Sequence, residues 1–421
     1  MFRDRRLLLI YAIIFIDVVV GSALGPVLPE FVKGYNRPQL WLALGTGLFL
    51  GMQLFSAPLL GKLSDGYGRR PVFIVSAIGT FLANCLLLPV RLGAQLANRL
   101  SDGLTNGMYA TVRSAITDIS PRHELFRNLG IEGAIISLGF VVGPAVAGLL
   151  LTLFDVVAAD QARVVVSMAV VLSALNIGLS WLLRETHPGP QGISRTALKA
   201  ELVASLNVHT LWSRLTARDR TPLDESTAAT AGRSRGLRPL VVMQLFLTLS
   251  TGYYFYFVTF ASFGPLRMDA RAISYFFMYF GGLSIVINYV FYTFLADRIQ
   301  QRRAIVWLAG LGAPVLAGYG LVGTSAVGLY VLVTLDCFTL SLIQGLIEGL
   351  LAQRTTDDDR GEIFGINQAL QGLASFVTTL VFGALSLLDL RLPFGWFAAC
   401  LAVVALIARR LSRPVSRPPV T

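Results

Sequence analysis

Gly61-Lys62-Leu63-Ser64-Asp65-Gly66-Tyr67-Gly68-Arg69-Arg70-Pro71 stands between two apolar runs, Leu40 to Leu60 and Pro71 to Val90. About 20 apolar residues are needed for a helix to cross the hydrocarbon of a bilayer. Each flanking run has that length, so the charged, glycine-bearing junction reads as a tight turn at a membrane face. Working outward, the same pattern recurs. Runs of spanning length cover approximately Leu7 to Phe31, Leu40 to Leu60, Pro71 to Val90, Gln95 to Thr117, Leu129 to Leu150 and Val164 to Leu183. A second set covers Pro239 to Phe263, Ala272 to Ala296, Ala304 to Val322, Gly328 to Ala352, Phe364 to Leu388 and Pro393 to Ile407.

The composition agrees with this reading. Of 421 residues, 54% are hydrophobic and 14% are charged, whereas a soluble domain carries roughly a quarter of its residues as charges. The expected fold is therefore an all-α membrane protein of twelve spans in two six-helix bundles. Residues 1–183 form the first bundle, 184–238 a linker and 239–421 the second bundle. Placing both termini in the cytoplasm puts 26 of the 35 Lys and Arg in inside segments, seven in outside loops and two, Arg99 and Arg113, within a span. Reversing the chain would invert the positive-inside bias. The net charge of +11 is thus a topology signal, and nucleic-acid binding is excluded as its explanation. Within the linker, Leu198, Leu202, Leu206, Leu211 and Leu215 recur near helical spacing after Ser194. That spacing predicts a basic amphipathic helix on the inner membrane face, passive or regulatory.

The opening motif has a degenerate copy. Asp297-Arg298 follows the eighth run, and Asp297 lies 232 residues after Asp65. Gly130-Ile131 and Gly365-Ile366 repeat at an offset of 235, so two marks agree on one duplication. At these residues the sequence resembles the major facilitator superfamily, over essentially the whole chain. The resemblance rests on Gly61, Asp65, Gly68, Arg69 and Arg70, and it implies two pseudo-symmetric halves, with Asp65 beside span eleven as an inner latch. Gly139 to Gly148, containing Gly143-Pro144, is similar to the glycine-proline motif of proton-driven drug antiporters. Arg99, Gly103 and Gly107 resemble their arginine-glycine motif, and Asp17 to Pro29 is similar to the opening of tetracycline-type exporters. Asn84 stands near where those exporters tend to carry an acid.

The residues have their own chemistry. Glycines four apart, as in Gly103/Gly107 and Gly139/Gly143, let two membrane helices approach closely. Pro144 removes a backbone hydrogen bond and favours a kink that could act as a gate. Asp65 is placed in a loop by its flanks, where the dipole of the following helix would favour a carboxylate.

Asp17 falls near the middle of the first span. A carboxyl at that depth exchanges its proton when its surroundings alternate between wet and dry, which is the chemistry of a coupling site. A static packing residue is the alternative. Arg99 and Asp102, three apart, are expected to pair, as a gate, a proton-sensitive switch or a structural bridge. Arg113 needs a partner, for which Glu132, Asp17 and an anionic substrate are candidates, and Asp336 and Glu348 are further intramembrane acids. Tyr253, Tyr256, Tyr279, Gln344, Asn367 and Gln371, with Arg113 and Glu348, supply material for the wall of a drug-sized cavity.

Cys85, Cys337 and Cys400 lie in apolar runs, and His123, His187 and His209 lie in connecting stretches. Neither a metal site, a disulfide, a cofactor nor a catalytic constellation is expected. The expected function is a proton-coupled exporter of a small amphipathic solute, acting as a monomer, with protons, substrate and the lipid bilayer as partners. Arg outnumbers Lys 32 to 3, which points to a bacterial inner membrane. An importing symporter for an organic anion and a lipid transporter stand as alternatives.

Overall fold

The computed structural model describes residues 4–106, 108–158, 160–187, 189, 196, 198, 203, 207–220, 236–295, 299–355 and 360–412. Among them the architecture is helical throughout. Helix α1, Arg5–Leu24, is capped by Asp4, whose carboxylate accepts from Arg6 N at 2.9 Å. It tightens into a 3-10 segment, Gly25–Phe31, where Pro26 and Pro29 interrupt the regular ladder. Helix α2, Pro38–Tyr67, follows, and Gly68 at φ +100° turns the chain directly into α3, Arg69–Leu86. That backbone conformation is open to glycine at little cost, which explains the glycine of the opening motif.

The fourth expected span, Gln95 to Thr117, is not one helix. It divides into α4, Leu92–Thr105, and α5, Met108–Ile119. The sequence Asn106-Gly107 favours a turn. Gln53 Nε2 from α2 donates to the Asn106 carbonyl at 3.2 Å, so a backbone acceptor freed by the break finds a donor. Helices α6, Arg122–Leu153, and α7, Gln161–Leu182, complete the first set, and α6 continues through Pro144.

A short linker helix, α8 (Val208–Arg220), precedes α9 (Leu237–Thr251) and α10 (Tyr253–Phe263), which meet at Gly252. Helix α11, Ala270–Val290, ends in a π-helical turn. The remaining helices are α12, Gln301–Tyr319; α13, Ala326–Ala352; α14, Arg360–Ser386; and α15, Leu392–Ser412. Among the described residues, nine segments are long and apolar enough to span a bilayer. Segments α3, the α4–α5 pair and α12 stand at the other three expected positions. Large apolar side chains such as Trp307, Leu321 and Val327 are exposed, a surface suited to hydrocarbon.

The chain divides into two compact units. The first comprises Met1–Asn207, Phe255–Gly282 and Thr379–Leu387; the second comprises Val208–Tyr254, Leu283–Thr378 and Leu388–Thr421. In the first, α1 packs on α6 and α7, α2 on α4, and α3 on α7 and α4. Small residues make these approaches possible. A Cβ on Gly139 would lie 2.8 Å from Val18 Cγ1, and one on Gly143 would strike Ser22 Oγ and lie 2.5 Å from the Val19 carbonyl. Between α4 and α2, a Cβ on Gly103 would lie 2.6 Å from the Phe49 carbonyl. Lipid supplies no hydrophobic drive between helices, so this close fit carries the association. In the second unit, α12 packs on α15 and α13, and α9 on α15, where Ser250 Oγ donates to the Phe397 carbonyl at 3.0 Å.

The linker helix departs from expectation. Leu211 and Leu215 are buried against protein instead of lying on a membrane face. Its Asp219 carboxylate accepts from Leu237 N at 2.7 Å and Arg238 Nε at 3.1 Å, and Arg218 pairs with Glu362 at 2.7 Å. Ser194, Leu202 and Leu206 lie outside the described residues.

Candidate functional site

The opening motif forms a charge cluster in the first unit. Arg69, 5% exposed, is its centre. Its Nη1 donates to Ser64 Oγ at 2.7 Å and Asp65 Oδ1 at 2.5 Å, and its Nε donates to Asp118 Oδ2 at 2.8 Å. One buried cation is thereby shared by two carboxylates, which offsets part of its desolvation. Asp65 does not sit in a loop; it occupies the last turn of α2, where the helix continues to Tyr67. The carboxylate at the amino terminus of α3 is instead Glu185, just beyond α7. It accepts from Arg69 N at 2.8 Å, Arg70 N at 3.1 Å, Thr186 N at 2.9 Å and His187 N at 2.9 Å. Partial burial pushes the Glu185 pKa up, but the four backbone donors outweigh it and hold the group below the usual carboxylate range. Gly68 is obligatory here a second time, because a Cβ would strike Glu185 Oε2. Arg70 reaches the Trp181 carbonyl at 3.0 Å. Gly61 supplies the carbonyl that Ser64 Oγ bonds at 2.7 Å. The second copy, Asp297-Arg298, lies outside the described residues.

Deeper in the same unit, Asp17 is 5% exposed on α1, a helix whose Ile13, Ile14 and Val18 belong to a buried apolar cluster. It is close enough to Asp102 for the two carboxyls to interact electrostatically. Arg99 and Asp102 interact through their charges, but not by a direct side-chain hydrogen bond. Asp102 accepts from Thr80 Oγ1 at 3.3 Å, while the Arg99 guanidinium lies over the Phe49 ring at 5.6 Å from its centroid. Residues three apart on a helix can pair, but here α3 offers a hydroxyl and α2 an aromatic face to the two groups instead. Arg113 finds Glu132, whose two oxygens both lie 3.4 Å from its Nε. The pair is asymmetric, since the arginine side chain is 50% exposed and the glutamate 2%. Tyr109 feels the charges of Asp17, Asp102 and Glu132 together, which the sequence reading missed. Asn84 donates to Ser173 Oγ at 2.7 Å.

In the second unit Asp336 is fully buried, and two phenols converge on its Oδ2, Tyr253 at 2.5 Å and Tyr319 at 2.9 Å. Its Oδ1 has no partner among the described residues. Tyr319 comes from α12, whose apolar run carried no sign of the contact. Gln344 donates to Glu348 at 3.1 Å, and Asn367 is buried. Gln371 is half-buried. Tyr256, in the first unit, is buried against Phe382 with ring centroids 5.4 Å apart, and Tyr279 is 39% exposed. Tyr253 and Tyr256 are thus committed to buried contacts.

Known proteins resemble the chain throughout its length. The model of the Major Facilitator Superfamily matches residues 7–379. The class E tetracycline resistance protein of Escherichia coli is 26% identical over 98% of this chain and 96% of its own length. The class H protein of Pasteurella multocida is 29% identical, but the aligned part spans 35% of this chain and 38% of that protein. In three dimensions the chain is similar to the human organic anion transporter MFSD10, with a TM-score of 0.66 at 19% identity, covering 96% of this chain and 99% of that one. At that identity the likeness speaks for fold alone.

Proposed function

The chain belongs to the Major Facilitator Superfamily, and from that membership we propose that it is a proton-coupled secondary transporter exporting a small amphipathic solute or drug by alternating access. Its family is one of membrane transporters, not enzymes. The reading includes twelve spans in two pseudo-symmetric halves, 1–183 and 239–421, with both termini in the cytoplasm of a bacterial inner membrane and a monomer as the working unit. The end-to-end match with a tetracycline resistance protein supports export of a drug-like solute.

The observation that carries the coupling is Asp17, a buried carboxyl near the middle of the first span with a second acid, Asp102, nearby. An ionisable group in that position is costly unless neutral, paired or hydrated, and a transporter that wets and dries the site converts the cost into proton exchange. One charge moving through 100 mV contributes about 2.3 kcal/mol, enough to support a concentration ratio of roughly fiftyfold. Arg99, Asp102, Glu132 and Asp336 are assigned to the same coupling network. Asp65, Arg69 and Arg70, with Gly143-Pro144 and the Asp297-Arg298 copy, are assigned to gating. Arg113, Tyr279, Gln344, Glu348, Asn367 and Gln371 are assigned to the substrate path, with Tyr253 and Tyr256 as buried supports instead of cavity wall.

Proteoliposomes test this directly. Substrate added to the reconstituted protein releases protons, and Asp17→Asn abolishes the release while leaving binding. Transport indifferent both to the pH gradient and to Asp17→Asn would refute the coupling. The half-exposed guanidinium of Arg113 favours a second reading, import of an organic anion with a proton. Proton uptake upon substrate addition would select it.

A further inference from the structure

We infer that bound water fills a polar seam between α3 and α7 and forms a proton path inside the first unit, running from Asp102 to the end that carries the Asp65–Arg69 cluster. The two helices run antiparallel. At one level Asn84 Nδ2 donates to Ser173 Oγ at 2.7 Å, and nearer the cluster Arg70 Nη2 donates to the Trp181 carbonyl at 3.0 Å. The buried positions of α3 from Ser76 to Asn84, and of α7 from Ala169 to Ser180, carry no side chain larger than asparagine. Ser76, Thr80 and Asn84 recur every four residues and line one face of α3, while Ser173, Asn176 and Ser180 recur at helical spacing and line one face of α7.

Facing stripes of this kind would bond to one another if the backbones closed up. They do not. Thr80 and Ser76 stand one and two turns from Asn84, at about the levels of Asn176 and Ser180, yet Ser76 Oγ and Asn176 Oδ1 are buried with no partner among the described residues. Ser180 Oγ turns to a carbonyl of its own helix, that of Asn176, at 2.9 Å. On the α4 side Asn98 Nδ2 donates to the Ala83 carbonyl at 2.8 Å, but Asn98 Oδ1 is likewise unpartnered. Within a membrane an unpaired buried polar group is costly, and polar groups that face each other beyond direct reach are bridged well by water. The small side chains leave room for it, and the unpaired oxygens are the partners a buried water needs.

The seam meets a titratable group at Thr80, whose Oγ1 donates to Asp102 Oδ1 at 3.3 Å. The carboxyl that interacts with Asp17 therefore borders the seam. Along a water file the Asp102 carboxyl gives its proton to the adjoining water, which passes one of its own to the next. The carboxylate is left negative and every water neutral, with the proton delivered beside Ser180 and Trp181 at the cluster end. The proton thus has a path of its own. That role rests on the proton-coupled reading of Asp17 and Asp102, whereas the hydration of the seam does not.

Two experiments test the inference. Electron cryo-microscopy of the full chain in lipid nanodiscs, with a bound antibody fragment and at a resolution that shows ordered water, should reveal density about 3 Å from Ser76 Oγ and Asn176 Oδ1. A dry seam in such a map overturns the inference. The second compares Ser76→Val with Ser76→Thr in proteoliposomes, since these side chains share a shape and differ in the hydroxyl. Proton release on adding tetracycline should be roughly tenfold slower in Ser76→Val than in Ser76→Thr, as loss of one buried hydrogen-bonding group implies. Exchange of tetracycline across the membrane, which needs no net proton movement, should be the same in both. Equal proton release in the two variants overturns the path, and so does an equal loss of release and exchange in Ser76→Val, which would mark a packing role. Parent protein that exchanges tetracycline without releasing protons refutes the coupling itself and the path with it; release by the parent with no difference between the variants refutes the path alone.

Discussion

Replacing Gly143 by alanine adds one methyl group where α1 and α6 have no room for it. The new Cβ would strike Ser22 Oγ and stand 2.5 Å from the Val19 carbonyl and 2.9 Å from Ala23 N. Ser22 can rotate, but the two backbone atoms cannot move without their helix. Restoring ordinary contact requires α1 and α6 to part by about 0.5 to 1 Å, a gap that forfeits a quarter to a half of each dispersion contact along the seam. It also stretches the Ser22 Oγ bond to the Gly139 carbonyl, now 3.0 Å. Overpacking of this kind costs about 1–3 kcal/mol. The control is Gly130→Ala in the same helix, where nothing lies within 4 Å of the added carbon. There alanine should gain up to about 1 kcal/mol through its higher helix propensity. The two variants should therefore differ by about 2–4 kcal/mol in chemical unfolding of detergent-solubilised protein. Ser22→Ala should not rescue Gly143→Ala, because the carbonyl contact remains. Equal stability of the two alanine variants would refute the close-packing account.

Arg69→Ala should destabilise the protein by about 1–3 kcal/mol, since it removes the cation shared by a half-exposed Asp65 and a mostly buried Asp118; unfolding measurements alongside Arg70→Ala check this. Glu185→Gln should lower the melting temperature at neutral pH. Because the folded pKa of Glu185 is depressed, its stabilising effect is complete above the ordinary glutamate value and disappears as pH falls through the folded value. Parent and variant should therefore converge only in strongly acidic buffer, and a melting difference that stays constant with pH would exclude the carboxylate as its origin. Tyr319→Phe removes one of two donors to Asp336 and should cost about 1–3 kcal/mol, with Tyr35→Phe, at an exposed tyrosine, as the control; matching melts would contradict the contact.

The two halves of the opening motif show how an expectation is modified by its surroundings. Asp65 and Arg69 are four residues apart, so their pairing follows from local geometry. What makes Arg69 a buried centre is distant in sequence: Asp118 at the end of α5, and Glu185 on the backbone amides beside it. The same holds at Asp336, where the acid is visible in its apolar run but its phenolic donors arrive from α10 and α12.

Membrane residence and helical class were legible in the amino-acid order because hydrocarbon imposes them locally. Each span must satisfy its own backbone hydrogen bonds and present about 20 apolar residues, and neither demand depends on what packs alongside. Gly68 was legible for a similar reason, as a turn this tight needs a residue free of a side chain. Partner choice is different. Whether Arg99 bonds Asp102 or lies over Phe49, and whether Asp65 or Glu185 meets the start of α3, depend on which groups neighbouring helices bring close. Only tertiary structure decides that, because in an apolar interior a polar side chain takes the nearest well-aligned partner, however far away that partner lies along the chain.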